Sequence, residues 1–445
     1  MRHYYKTIGR PDTFVFISAL FIIVLVALRL VILPVSPPGF YLDEAAGGAQ
    51  IVAMLHHGAN VHGQAWPLFS ASLGGGYTTP IYLYPATLWA ALFGTSELAL
   101  RYFSQFMTLL AIVMIALATR YWLGQRAALI STIVGLALPW SWLQGSLAWD
   151  PALVPFFVAA AYLTSTLLFF SHSPVTKICA AVLLPVSLVG LAYLYPPCRV
   201  TAPLLYVLLY GLLYYKKALS LRVMISSLIG TIVIALPLAL FILQPDAMER
   251  SKVLSVFYGV PIWQGLWQLL INFSRLLNPV FLFVYGDPNL RHSTGWQGML
   301  GLAAIPPTLA LLYVFFQRPF ARIHFDKTML LIIIALGGIV CSLLGSALTN
   351  EGQPQSLRAT AAWPFFVILL TIGWHVILTR TSRTAASIIV SICLVCTVSY
   401  AVDLAFFYPK RASQAFDAPA RRIIFTSHTN APGYPDLSYR YYTTR

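Results

Sequence analysis

The sequence predicts an all-α, polytopic integral membrane protein. Of its 445 residues, 59% are hydrophobic and only 9% are charged, and the mean hydropathy is +0.77. Apolar runs recur along the chain with lengths of about 20 residues, which is what a helix needs to cross a hydrocarbon core of roughly 30 Å. Strands of a membrane β-barrel would be only about 10 residues long and would alternate in polarity. Helices are therefore the remaining solution.

We expect about 11 transmembrane helices. The first follows a basic N-terminal segment, is too long for the apolar core of a signal peptide and lacks a small-residue cleavage site, so we predict a retained anchor. The predicted spans are residues 12–34, 99–121, 126–145, 151–171, 176–195, 200–215, 221–244, 297–317, 328–348, 362–380 and 385–407. They make up a transmembrane domain over residues 1–407, followed by a short external tail at 408–445.

The positions of Lys and Arg orient these helices. Residues 35–98 contain no Lys or Arg, whereas basic residues fall in alternate connections, at Arg120, Arg126, Lys177, Lys216, Lys217, Arg222, Arg318, Arg322, Lys327, Arg380 and Arg383. Because basic loops stay in the cytoplasm, segments 35–98 and 245–296 are predicted to lie outside, at the periplasmic face of the inner (plasma) membrane. This orientation requires the apolar run 80–93 to lie along the membrane surface rather than span it.

The net charge of +15 does not indicate a nucleic-acid partner, because the basic residues stand singly between spans and form no patch. Membrane lipids are the predicted surroundings. Four of the five cysteines lie inside apolar runs and only Cys198 is near a surface, so no disulfide framework is predicted. Arg29 lies within the first span, where it is either functional or extends to the headgroups.

Asp43 and Glu44 form an adjacent acidic pair just after the first span. Small and apolar residues follow at helical spacing over residues 45–55, which predicts a short surface helix with Asp43 as its N-cap. Asp43 is then either only a cap or also a catalytic base at the membrane surface, and we favour the base. Glu44 is either a solvated acid that complements the helix dipole or a catalytic-site group that orients substrate or a metal ion.

Short motifs follow one another through the outside segments. They are YLDEA at 41–45, GANVHGQAWPL at 58–68, TPIYLYP at 79–85, LFGTSE at 92–97 followed by Arg101, GDPNLRHS at 286–293 and PQSLRAT at 354–360. In this order they resemble the external loops of C-type (GT-C) glycosyltransferases, the superfamily of protein O-mannosyltransferases and lipid A aminoarabinose transferases. The resemblance implies a sugar donor carried on a polyprenyl phosphate or diphosphate, and transfer at the outer face. Those enzymes usually have a large soluble domain or extended loops that this chain lacks, so the acceptor (lipid, glycan or protein) stays open.

Transfer of a sugar from a lipid phosphate requires one base for the acceptor hydroxyl and positive charge for the leaving phosphate. Asp43 would be the base, and a single displacement would invert the anomeric centre. Guanidinium groups match phosphate oxygens in two-pronged geometry, so the predicted substrate-binding residues include Arg101, Arg291, His292 and Arg358. The alternatives are solvated loop charges for Arg291 and His292, and a headgroup contact for Arg358.

Further substrate contacts are predicted for Asp150, His62, Gln64 and Tyr82. Asp150 is either the N-cap of a helix that begins with a proline or a second acidic group near the site. Tyr82 would stack on a sugar ring or belong to the aromatic belt of the membrane interface. No cofactor is certain from the sequence, and a divalent metal ion is left open.

Two other functions compete with this interpretation. An O-antigen ligase or polymerase would use arginines of its largest outside loop instead of an acidic base. A polytopic lipid or sugar transporter or flippase would show repeated halves and charges near the bilayer midplane. The acidic residues of this chain gather at one predicted surface instead, which favours the transferase.

Overall fold

A computed structural model describes residues 13–72, 76–317 and 327–416. Within them, strands occur only as a short antiparallel ribbon of β1 (Ser70–Ala71) and β2 (Tyr77–Thr78). The helices are α1 Thr13–Ile32, α2 Leu42–His57, α3 Pro80–Phe93, α4 Glu97–Leu123, α5 Gln125–Ala137, α6 Pro139–Gln144, α7 Val154–Phe170, α8 Pro174–Leu194, α9 Cys198–Tyr215, α10 Leu221–Ile242, α11 Glu249–Val253, α12 Ile262–Leu276, α13 Ile305–Gln317, α14 Lys327–Ala347, α15 Trp363–Arg380, α16 Arg383–Val402 and α17 Tyr408–Arg411. The all-α class is confirmed.

Among the described residues, 10 helical stretches are long and apolar enough to cross a membrane. Each predicted span has a helical counterpart, but the two at Gln125–Ala137 and Leu302–Gln317 are shorter than predicted. One of the ten, Ile262–Val284, lies where we predicted surface helices. It consists of α12 and a separate π-helical turn, Val280–Val284, which follows Pro279. The centre of the bundle is α15, whose residues from Trp363 to Gly373 are all buried.

The predicted span 126–145 is broken at Pro139, which has no N–H to donate and begins α6. Arg29 of α1 bonds backbone carbonyl groups on both sides of this break. Its Nε and Nη2 donate to the Leu136 carbonyl at 3.1 and 3.0 Å, and its Nη1 donates to the Ser141 carbonyl at 3.3 Å. The guanidinium also lies 5.1 Å from the centre of the Trp142 ring. Arg29 is only 3% exposed, so it has a structural role and does not extend to the headgroups.

The predicted span 297–317 becomes helical only at Leu302. Residues 298–301 instead run beside the π-helical turn, where the Met299 N–H donates to the Phe281 carbonyl at 3.0 Å and the Leu300 N–H donates to the Leu282 carbonyl at 2.7 Å. Gly298 lies directly against the backbone of Leu282, where a Cβ atom would have no space. This close approach of two backbones shortens the helix.

The surface helices α2 and α3 are confirmed as helices, with one correction. The N-cap of α2 is Tyr41 rather than Asp43. Glu44 causes the difference, because its Oε2 accepts from the Tyr41 backbone N–H at 3.0 Å, which is the role of an acidic side chain in the third helical position. Asp43 therefore lies inside the first turn, and its carboxylate does not cap the helix.

The predicted tail begins inside the bundle. α16 continues through a π-helical turn, Asp403–Phe407, into α17, and Tyr408, Ala412 and Phe416 are all fully buried. The first residues assigned to an external tail are thus part of the packed structure. The rest of that tail (417–445), the N-terminal segment 1–12 and the predicted cytoplasmic loop 318–326 lie outside the described residues.

The predicted orientation can be tested at two exposed positions, Gln64 before β1 and Lys217 after α9. In a background without the native cysteines, we expect Gln64→Cys to react with a membrane-impermeant maleimide in intact spheroplasts. Lys217→Cys should react only after permeabilisation, because basic connections stay in the cytoplasm. The opposite labelling pattern would reverse the topology and move the outside segments to the cytoplasmic face.

Candidate active site

The two residues of the acidic pair have different surroundings. Glu44 is fully buried and forms a two-pronged ion pair with Arg101, whose Nε and Nη2 donate to Oε1 and Oε2 at 2.9 and 2.8 Å. The backbone N–H of Ala148 also donates to Oε1, at 2.8 Å. Arg101 in turn donates to the carbonyls of Pro37 and Gly39 at 2.8 and 2.6 Å. Glu44 and Arg101 therefore satisfy each other's charge, and these contacts indicate a structural role for the pair.

Asp43 points away from this pair and is exposed. No described residue forms a hydrogen bond or ion pair with its carboxylate. Protein atoms nevertheless surround it, and the partial loss of hydration raises the pKa of Asp43. The charges of Arg250 and His292 lower this pKa, whereas the charge of Glu44 raises it further. Asp43 is thus an unpaired carboxylate at the start of α2, with cationic groups within electrostatic range.

Asp150 brings a second carboxylate to the same region. It begins a 3-10 turn, Asp150–Leu153, that leads into α7, so it is the first residue of the turn rather than its N-cap. Its side chain is half-buried, and its charge interacts with that of Asp43. Ala148, two residues earlier, is the residue whose N–H bonds Glu44. The buried ion pair therefore connects the two segments that carry the carboxylates.

The segment predicted to be the second outside loop, 245–296, contributes a buried carboxylate–imidazole pair. Asp287 and His292 are 1% and 4% exposed, and the His292 Nδ1 lies 3.3 Å from the Asp287 Oδ2. The same oxygen accepts from the backbone N–H and the hydroxyl of Ser356 at 2.7 and 3.0 Å. The ring of His292 lies 6.0 Å from that of Trp149, the residue before Asp150. Asp287 was not among the predicted site residues, although an Asp five positions before a His in one loop was a usable signal.

Arg291 lies beside the start of α2. Its guanidinium carbon lies 4.3 Å from the centre of the Tyr41 ring, and its Nε donates to the Asn289 Oδ1 at 3.2 Å. Phe416 packs edge-on against the same tyrosine, with 6.3 Å between ring centres. Arg291 is half-buried and is stacked on an aromatic face, and its predicted contact with the phosphate stays a prediction.

Arg358 is 7% exposed and is held by its own loop. Its Nη2 bonds the Glu351 carboxylate at 2.5 Å, and its Nη1 donates to the Thr349 hydroxyl at 2.9 Å and to the Glu351 carbonyl at 3.0 Å. It also bonds the Tyr195 hydroxyl, where burial raises the pKa of Tyr195 to about 12. Arg358 thus neither extends to the headgroups nor has an unmet charge, and the prediction that it binds phosphate is not supported.

The remaining predicted contacts, His62, Gln64 and Tyr82, have different surroundings. His62 and Gln64 are exposed in the loop between α2 and β1, where Asn60 holds the chain by accepting from both of their backbone N–H groups. Tyr82 is 1% exposed and packs below α2 against Gly47. It is a core residue, so we correct the prediction that it stacks on a sugar.

Two arginines that sequence reasoning missed lie on this side of the bundle. Arg199 is in the first turn of α9; its Nη1 lies 3.2 Å from the Met248 sulfur, and its buried Nε has no hydrogen-bond partner. No carboxylate of the described residues pairs with it. Arg250 in α11 is exposed and acts on the charge of Asp43. The available signal was a single Arg in a proline-rich turn predicted to lie outside, at 195–199.

Neither a family model nor a curated protein sequence matches the chain. Solved structures do. ArnT from Cupriavidus metallidurans in the apo state superposes with a TM-score of 0.54 at 16% identity, over 96% of this chain and 74% of that one. ArnT bound to undecaprenyl phosphate gives 0.53 at 14% identity, with the same coverage.

The oligosaccharyltransferase of Archaeoglobus fulgidus, in complex with Zn and sulfate, gives a TM-score of 0.54 at 15% identity, over 95% of this chain and 56% of that one. The chain therefore spans little more than half of that enzyme. The likeness shows the fold, and it confirms the GT-C architecture to which the motifs pointed. Among the described residues, no three side chains of His, Cys, Asp or Glu gather as a metal site.

The structural role of Glu44 leads to a stability prediction. Glu44→Ala leaves the buried Arg101 charge unpaired, and breaking a buried pair in this way costs about 3–5 kcal/mol. We expect a clear drop in the apparent melting temperature of the purified protein in detergent. The matched control is Asp43→Asn, one residue away, whose melting temperature should stay close to that of the parent. Equal melting temperatures for all three proteins would contradict the structural assignment.

Proposed function

We propose that the protein is a membrane glycosyltransferase that moves a sugar from a polyprenyl-phosphate-linked donor to an acceptor at the outer face of the membrane. The observation that carries the proposal is the convergence of two carboxylates, Asp43 and Asp150, with cationic side chains at one end of a GT-C fold. A neighbour with the same fold, ArnT, has been solved bound to undecaprenyl phosphate. The acceptor, the sugar and the length of the prenyl chain are not part of the proposal.

Asp43 is the proposed general base. Its carboxylate is unpaired and exposed, and it takes the proton from the acceptor hydroxyl while the oxygen attacks the anomeric carbon. The bond to the phosphate oxygen breaks in the same step, which inverts the anomeric centre. Because the pKa of Asp43 is raised, protonation removes the base at a higher pH than for an ordinary aspartate, and the rate should fall as the pH drops through that value.

Asp150 is proposed to hold the substrates rather than to transfer a proton. Its charge interacts with that of Asp43, so a hydroxyl group placed between them would donate to one carboxylate and orient towards the other. Such positioning lowers the barrier because the reacting atoms are held at attacking distance. A divalent metal ion stays an expectation from the sequence, and the steps proposed here use only side chains of the chain itself.

The leaving phosphate requires positive charge, and the contacts of the arginines rank the candidates. Arg101 and Arg358 are each paired with a glutamate. Arg199 has no described carboxylate partner and has an unbonded buried Nε, which is costly unless an anion binds there. We propose that Arg199 contacts the phosphate, with Arg250 beside it. Arg291 stays a candidate on the opposite side of Asp43.

The reaction is tested by mass spectrometry of lipids and envelope glycans from a strain that lacks the protein. Accumulation of one prenyl-linked sugar together with loss of one glycan modification would identify donor and acceptor at once. A flippase would instead leave that sugar lipid on the cytoplasmic leaflet, inaccessible to periodate or lectin added from outside. An O-antigen ligase or polymerase would leave undecorated or unpolymerised chains.

Replacement of the base is the sharpest test of the mechanism. We expect Asp43→Asn to abolish transfer, since the amide cannot accept the proton, while expression and melting temperature stay parental. The assay uses lipid and envelope extracts of the deletion strain as substrates and is run across a pH series. Glu249→Gln, a change at an exposed acidic residue of α11, is the matched control and should keep full activity. Turnover by the Asn variant within a few-fold of the parent would exclude Asp43 as the base.

The phosphate contact is tested by direct binding. Undecaprenyl phosphate should raise the melting temperature of the parent protein, because a ligand that binds only the folded state stabilises it. We expect Arg199→Gln to reduce this shift strongly and Arg199→Lys to reduce it less, because an ammonium keeps the charge but loses the forked geometry. Arg275→Gln, at an exposed arginine of α12, should keep the shift. An unchanged melting-temperature shift in Arg199→Gln would indicate that Arg250 or Arg291, and not Arg199, contacts the phosphate.

A further inference from the structure

Helix α12 presents three different sides. At about 100° per residue, Gly265, Asn272 and Leu276 fall on one side, and all three are buried. A second side carries Gln264 and Arg275, which are polar and exposed. The third side is apolar and yet exposed, and it consists of Ile262, Trp263, Leu266, Trp267 and Leu270. A helix with one side against protein, one polar side and one apolar side fits the boundary between a membrane and water.

α12 is too short to cross the membrane. Its 15 residues extend about 22 Å, whereas the hydrocarbon core is roughly 30 Å thick. Pro279 separates α12 from the π-helical turn, in which Phe281 and Leu282 are buried and accept from the backbone N–H groups of residues 299 and 300. The apolar stretch Ile262–Val284 therefore consists of two pieces, and α12 does not continue into a spanning helix.

The buried side chain of Asn272 attaches α12 to the end of the spanning helix α14. Its Nδ2 donates to the carbonyls of Ala347 and Thr349 at 3.1 and 3.0 Å, and its Oδ1 accepts from the Gln268 Nε2 at 2.9 Å. Ala347 is the last residue of α14, where the backbone carbonyls have no partner within the helix. Because a spanning helix ends at the membrane surface, α12 lies at the level of that surface.

The exposed tryptophans indicate the same level. Four of the eleven tryptophans are exposed, and all four lie in segments predicted to be outside: Trp66, Trp263, Trp267 and Trp296. Trp263 and Trp267 stand one helical turn apart and are 66% and 64% exposed. Tryptophan is enriched where membrane and water meet. The apolar side of α12 therefore matches lipid rather than water.

The same end of α14 supports the turn before Arg199. Gly345, two residues before Ala347, lies directly against the Pro197 carbonyl, where a Cβ atom would have no space. Pro197 is the N-cap of α9, and Arg199 lies in the first turn of that helix. Direct contacts thus join α12, the end of α14 and the turn that carries Arg199. A helix that is fixed at the membrane surface would fix Arg199 at a defined depth as well.

We propose that α12 docks on the lipids of the outer leaflet through its apolar side and thereby holds Arg199 at the depth of the headgroup phosphates. The docking follows from α12 and its contacts with α14. The depth-setting role rests on the proposed contact between Arg199 and the donor phosphate, which lies at headgroup depth because the prenyl chain occupies the hydrocarbon core.

The docking is tested by spin labels in lipid vesicles, without any substrate. In a background without the native cysteines, Ile262→Cys, Leu266→Cys and Leu270→Cys are labelled singly, and the depth of each label is measured from its collisions with oxygen and with a water-soluble nickel chelate. We expect the three labels to lie at the same depth, since α12 lies along the surface. Gln264→Cys, on the polar side, should collide mainly with the nickel chelate.

The matched control is a pair of exposed positions on the spanning helix α16, Ile388→Cys and Val395→Cys. Their depths should differ by about 10 Å, at 1.5 Å per residue. A comparable change of depth from position 262 to position 270 would overturn the docking. Labels on the apolar side that collide with neither reagent would show that protein covers this side, and that result would also overturn it.

The depth-setting role is tested with undecaprenyl phosphate as the probe. Its effect on the melting temperature is measured for the double variant Trp263→Gln/Trp267→Gln, both in lipid nanodiscs and in detergent. In nanodiscs we expect the variant to need several-fold more undecaprenyl phosphate than the parent for the same shift, because Arg199 is no longer held at headgroup depth. In detergent, which has no bilayer surface, the two proteins should respond equally. Trp263→Phe/Trp267→Phe keeps the apolar side and should respond as the parent does in both media.

An equal loss of response in nanodiscs and in detergent would mean that the tryptophans support only the fold, and an unchanged response in both would mean that α12 does not set the depth of the site. Either result would overturn the depth-setting role. A parent protein that does not respond to undecaprenyl phosphate at all would instead contradict the proposed function, while the spin-label depths would still decide whether α12 docks on lipid.

Discussion

The site depends on one buried ion pair, that of Glu44 and Arg101. Two charges removed from water cost several kcal/mol each unless they are paired and hydrogen-bonded, and this pair satisfies the condition by gathering donors and acceptors from four separate segments: the turn before α2, α2 itself, α4 and the loop before Asp150. The pair therefore determines the distance between the two carboxylates that we assign to the reaction.

The segment predicted to be the second outside loop contains another buried carboxylate that is fully hydrogen-bonded. Asp287, like Glu44, is a buried carboxylate whose oxygens accept from the backbone of a distant segment, and each lies beside a second titratable side chain: Asp43 in one case, His292 in the other. In both places a fully bonded acid orients a reactive neighbour. Rigid support of this kind lets an exposed site keep its geometry where the membrane surface offers little packing.

The sequence was sufficient for the all-α class and for most of the spans, because these follow from local periodicity and composition. It did not predict the ion pair of Glu44 and Arg101, because the two residues are 57 positions apart and no local pattern reveals such a pair. The pairing of Arg358 was missed for a related reason, because in the sequence its partner Glu351 is indistinguishable from an ordinary acidic loop residue. Arg199 was overlooked because one charge in an apolar turn has no periodicity, and only packing shows that it has no counter-ion among the described residues.

Arg29 has a consequence for how the chain is made. The carbonyls that it bonds lie on α5 and α6, and Leu136 is 107 residues further along the sequence. When α1 leaves the ribosome and enters the bilayer, its guanidinium has no acceptor, and it gains one only after the segment around Pro139 has been synthesised and inserted. Arg29 lies in the last turn of α1, from which an arginine side chain reaches the headgroups, so in the nascent chain the guanidinium stays in the interface until α5 arrives. α1 is therefore the first helix to be translated, but its contacts form only after α5 and α6 have been inserted.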